Sequence, residues 1–142
     1  MLAFVSWYLL VTLIGWLAFP LAYRLLPRLA DRGWALARAL GLLVWTYAFW
    51  MLASLQILQN SAGGGVIALL LLAALSYVAM RGRWADLWQW LRKEKRQILF
   101  TELLFLAAFG LWAVVRAMNP EVTGTEKPME LAFINSILRS PG

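Results

Sequence analysis

Four stretches of this chain, residues 2–23, 35–58, 62–80 and 98–118, stay apolar for close to the ~20 residues an α-helix needs to cross a ~30 Å hydrocarbon core. That repeated length leaves few folds open. In lipid a backbone must satisfy its own hydrogen bonds, and a single apolar run does so only as a helix. The expected fold is all-α and integral to the membrane, with about four transmembrane helices. Composition points the same way: 63% of residues are hydrophobic and 14% charged, where a soluble domain keeps roughly a quarter charged to cover its surface. The third stretch is the shortest, and its start, Ser61 to Gly65, is expected at the interface. A re-entrant hairpin is the alternative there.

Charge placement orients these spans. No Lys or Arg precedes the first stretch, which is also too long for the apolar core of a signal peptide. Arg24, Arg28, Arg32 and Arg38 follow it, and Arg81, Arg83, Arg92, Lys93, Lys95 and Arg96 follow the third stretch. Ten of the 13 basic residues therefore fall in two loops, while residues 59–65 carry no charge. The positive-inside rule puts those two loops in the cytoplasm. The N-terminus and the tail after Met118 are then extracytoplasmic, in the plasma membrane of a prokaryote. The same pattern argues against nucleic acid as the partner of the net +6 charge.

Within the second basic loop, Trp84, Leu87, Trp88 and Leu91 recur at helical spacing and a basic cluster follows. This predicts an amphipathic helix over about 83–96 on the inner interface, its cations near anionic lipids. Other tryptophans near span ends, such as Trp7, Trp34 and Trp112, read as aromatic belts. Ala37 and Gly41, four apart, are spaced for close helix packing. Pro20 is expected to kink the first span and Pro27 to help end it.

Cysteine and histidine are absent, which removes thiolates, disulfides and the usual haem, zinc and copper ligands. No motif implies a cofactor, and metal dependence stays open. Chemistry would have to rest on carboxylates, lysine, hydroxyls or backbone. Glu102 is the one acidic residue inside a predicted span, and a loop cation such as Lys95 or Arg96 is its expected partner. Arg116 lies fourteen residues on, about 21 Å along the helix, so the two cannot pair. Beyond it, residues 119–142 form an external segment. Pro128 suits the first turn of a short helix to about residue 139, with Glu126 and Glu130 near its positive end.

The run from Val115 to Glu121, followed by Gly124-Thr125-Glu126-Lys127-Pro128-Met129-Glu130-Leu131-Ala132-Phe133-Ile134-Asn135 and on to Ser140, resembles the signature of the archaeal and Chloroflexi "YYY" membrane-protein family. The Asp31-Arg32-Gly33 turn is similar to that family's N-terminal region. The family is related to GT-C glycosyltransferases, which move a sugar from a polyprenyl-phosphate donor to an extracytoplasmic acceptor. The resemblance implies a catalytic acid in the first large external loop, Glu126 first and Glu130 second. It implies phosphate contact by Lys127 and Arg116.

Members of that family run to several hundred residues, and their tyrosine-rich segment would come after Gly142. The expectation is an N-terminal module or fragment, inactive alone, that works with the rest of a longer chain. The alternative is a non-catalytic small subunit packing in a larger membrane complex. A transporter or channel component is a third reading, disfavoured because no span carries a row of polar residues.

Overall fold

The computed structural model describes residues 2–118 and 127–139, without the side chains of residues 127 and 128. These residues form six helices: α1 (Leu2–Leu25), α2 (Ala37–Ser54), α3 (Ala62–Ala79), α4 (Trp84–Lys93), α5 (Lys95–Met118) and α6 (Lys127–Arg139). No strand occurs among the described residues. Four helices, α1, α2, α3 and α5, are long and apolar enough to cross a membrane. The protein is an all-α membrane protein.

Helices α1, α2 and α3 pack together, and α5 lies lightly against α1 with no buried residue of its own. Consecutive spans run antiparallel. The α1–α2 contact brings Gly41 to Ile14 and Ala18, where a Cβ added at position 41 would stand 2.8 Å from the Ile14 carbonyl oxygen. Only a residue without a side chain lets the two backbones come this close. Phe4 and Tyr8 of α1 meet Phe109 of α5 at 5.1 and 5.8 Å between ring centroids. One end of the bundle thus gathers the start of α1, the α2–α3 turn and the end of α5. The other end collects the ten basic residues of the two charged loops.

The turn between α1 and α2 is built by Asp31. Its carboxylate accepts from the Gly33 and Ala35 backbone N–H groups at 3.0 and 2.8 Å. Arg32 and Gly33 take φ of 52° and 81°, and a Cβ at Gly33 would come within 2.9 Å of Leu26. The turn delivers Trp34 into the protein rather than to the headgroups. Trp34 is 3% exposed and packs edge-on to Phe19 and Trp16 at 4.6 and 4.7 Å. Its reading as a belt residue is corrected: an indole at a span end looks alike in sequence whether it faces lipid or core. Trp7 and Trp112 are exposed.

Helix α2 stops at Ser54, short of residue 58, because Gln56 turns into the left-handed region at φ 58°. Leu55, Ile57 and Leu58 keep the apolar run going without the helix. Helix α3 is one unbroken helix and not a re-entrant hairpin. Ser61 caps it, its Oγ accepting from Gly64 N–H at 3.3 Å, and the Trp45 indole donates to the Gly65 carbonyl at 2.9 Å. Ser61→Ala is expected to lower stability by about 1 kcal/mol, read as an earlier thermal melt in detergent.

The predicted helix over 83–96 is shorter. It breaks at Glu94, where α4 ends and α5 begins. The apolar side of α4 is partly docked on the bundle: Leu87 is 3% exposed and packs with Phe19, Tyr23, Trp34 and Met80. The Trp90 ring lies 5.4 Å from that of Phe19, tilted by 41°.

Candidate functional site

The partner of Glu102 is Arg38, not a cation of the second basic loop. An Arg38 Nη donates to Glu102 Oε2, joining α2 to α5. The side chains are 9% and 21% exposed, so the pair is largely removed from solvent and lipid. The physical reason lies in depth and room. Arg38 is in the first turn of α2, inside the bundle, whereas Lys95 and Arg96 are exposed at the start of α5. Gly15 of α1 makes way for the arginine stem, since a Cβ there would stand 2.6 Å from Arg38 Cγ. The guanidinium also lies over the Phe105 ring, 4.0 Å from its centroid. Arg38 falls inside an apolar stretch of the sequence. The usable signal was opposite charges inside two antiparallel spans, both near the basic end.

Thr12, Trp34, Arg38 and Glu102 together line a cavity of about 10 Å³. Four of their polar atoms are buried without a protein partner: Thr12 Oγ1, Trp34 Nε1, Arg38 Nε and Glu102 Oε1. The two N–H groups donate, the carboxylate accepts and the hydroxyl does either. One water, with two lone pairs and two O–H groups, matches that set in a space of its size. The arrangement therefore ties α5 to α2 beside α1.

The opposite end carries the residues expected to act. Between α1 and α5 runs a groove of about 560 Å³ with an almost wholly apolar wall. Phe4, Trp7, Phe109 and Trp112 shape it, and among the described residues Arg116 is the one charged residue in its lining. The helix expected from Pro128 forms as α6 and is tied to the α2–α3 turn by Asn60 Nδ2, which donates to the Ile137 carbonyl at 2.6 Å. That places α6 at the Arg116 end of the bundle.

Glu130 lies in the first turn of α6 and is exposed. Phe133, Ile134 and Ile137 follow it at three, four and seven residues, so the carboxylate shares a helix face with apolar side chains. A surface helix would ordinarily turn its carboxylates the other way. Glu126 and the Lys127 side chain lie outside the described residues. The structure thus brings Arg116 and Glu130 to one end of the bundle. Among the described residues, no cluster of three or more carboxylates gathers to hold a metal.

No curated protein and no solved structure matches this chain. A family match covers residues 44–142, from within α2 through α5 and α6, taking in Glu102, Arg116 and Glu130 but stopping short of Arg38. On that match, the chain belongs to the family described as Uncharacterized membrane protein (DUF2298).

Proposed function

We propose that this chain is the N-terminal module of a GT-C-like membrane glycosyltransferase that takes its sugar from a polyprenyl-phosphate donor. The observation that carries the reading is the groove between α1 and α5, apolar along its wall with Arg116 in its lining. A prenyl chain fits such a wall, and a guanidinium suits the phosphate that follows it. Glu130 reaches the same end of the bundle through α6. With the ten basic residues in the cytoplasm, that end is extracytoplasmic.

In the reaction, an acceptor hydroxyl attacks the anomeric carbon of the donor sugar and the bond from that carbon to the phosphate oxygen breaks. Glu126 takes the hydroxyl proton, with Glu130 the second candidate, and polyprenyl phosphate leaves against Arg116 and Lys127. The activity belongs to this module together with further spans of a longer chain. In a full-length protein carrying this module, Glu126→Gln is expected to cut sugar transfer by about 10²–10⁴-fold while leaving expression intact. Normal turnover in that variant would sink the assignment.

A second reading is a non-catalytic subunit of a larger membrane complex. The exposure of α5, which buries none of its 24 residues, supports it. Stable expression of the 142-residue chain together with a co-purifying membrane protein, and no sugar transfer, would favour it.

A further inference from the structure

A second groove, of about 420 Å³, lies between α1, α3 and α4 at the basic end of the bundle. Phe19, Tyr77, Leu87 and Trp88 give it an apolar wall, and Ser76 and Trp84 stand in that wall. Ser76 is 2% exposed, yet its hydroxyl has no hydrogen-bond partner; the buried Trp84 Nε1 has none either. Thr12 Oγ1 shares this state, in the small cavity beside Arg38 and Glu102. Ser6, Thr46 and Thr101 all return their hydroxyls to a carbonyl of the preceding turn. Leaving two donors unmatched in apolar surroundings is unfavourable unless something else accepts from them.

Trp88 is shared with an adjoining depression formed by Ala85, Gln89 and Arg92. The apolar groove therefore opens beside a guanidinium. The acids of this region are already engaged, Asp86 with Arg83 at 3.3 Å and Glu94 with Lys93 at 4.0 Å. Among the described residues, Arg92 forms no ion pair with a carboxylate.

From this succession of apolar wall, two donors and a cation we propose that the groove is a binding site for one anionic phospholipid. An acyl chain lies along Phe19, Tyr77 and Leu87, an ester carbonyl accepts from Ser76 Oγ–H and Trp84 Nε1–H, and the phosphate meets Arg92. Diffuse attraction of a basic loop to the membrane surface needs none of the buried donors; a seated lipid uses them. The site is at the other end of the bundle from the groove assigned to the sugar donor and stands apart from that reading.

The test is a titration of the 142-residue protein, held in neutral detergent, with phosphatidylglycerol or phosphatidylcholine of matched acyl chains, occupancy being read by native mass spectrometry. One phosphatidylglycerol per chain is expected, bound about fivefold more tightly than phosphatidylcholine. Arg92→Gln, an exposed position, should bring the two lipids level. Trp84→Phe keeps the ring and should weaken both lipids alike. Lys95→Gln should leave the preference unchanged. Equal affinity in the wild type, or an equal loss with Lys95→Gln and Arg92→Gln, overturns the proposal in favour of diffuse surface attraction.

Discussion

Glu102→Ala is expected to destabilise the helix bundle by about 3–5 kcal/mol, because it strands the Arg38 guanidinium without its counter-charge. Arg38 cannot escape by losing its proton, and its place among Gly15, Trp34 and Ala37 keeps it from reaching water easily. The opposite truncation, Arg38→Ala, should be milder, since a stranded carboxylate can take up a proton and become neutral. Replacing both partners with apolar residues of similar size, Arg38→Met with Glu102→Leu, should recover most of the loss. Unfolding in mixed micelles, followed by tryptophan fluorescence, ranks the three variants. If Glu102→Ala unfolds at the same denaturant fraction as the wild type, the pair does not hold α5. Because α5 buries no residue, the loss should appear first as release of that helix, read by hydrogen exchange along 98–112.

Gly41→Val is the second large effect. A Cβ at this position would come to 2.7 Å from Ile14 Cγ2 and 2.8 Å from both Ala18 Cβ and the Ile14 carbonyl oxygen. One of those obstacles is backbone, so a rotamer change does not relieve the clash and α1 must move away from α2. Overpacking of this kind costs about 1–3 kcal/mol, and the branched valine belongs at the upper end. Gly110→Ala in α5 provides the control: nothing lies within 4 Å of its added Cβ. It should be neutral or gain the roughly 0.5–1 kcal/mol that a glycine costs a helix interior. Equal stability of the two variants would mean that the α1–α2 approach is not tight.

The difference between the two glycines also marks where sequence reading ends. Helix number was legible because the bilayer imposes a minimum span, and Ala37 with Gly41 was legible as a close-packing pair. Which glycine faces a neighbour was not, since Gly110 sits in an equally apolar helix. The Arg38–Glu102 pair was hidden for a related reason. Its members are 64 residues apart, and only the packing of three helices brings them to one depth, whereas Lys95 and Arg96 are close in sequence alone. The end of α2 was misplaced because Leu55, Ile57 and Leu58 prolong the apolar run past the point where Gln56 turns the chain. At the candidate site, the helix starting near Pro128 could be read from its turn residues. The sharing of one face by Glu130 and Phe133 follows from helical spacing. The aromatic groove beside Arg116 could not be anticipated, because it exists only where α1 and α5 lie side by side.

The separation of Arg38 from Glu102 also sets a timetable for biosynthesis. At about 5–20 residues per second, a ribosome takes roughly 3–13 s to advance from codon 38 to codon 102. Throughout that interval the growing protein holds a guanidinium at the edge of the apolar layer with no carboxylate to meet it. Until then Arg38, in the first turn of α2, is expected to snorkel toward the headgroups. Delivery of α5 then becomes the event that lets the earlier helices settle to their final depth.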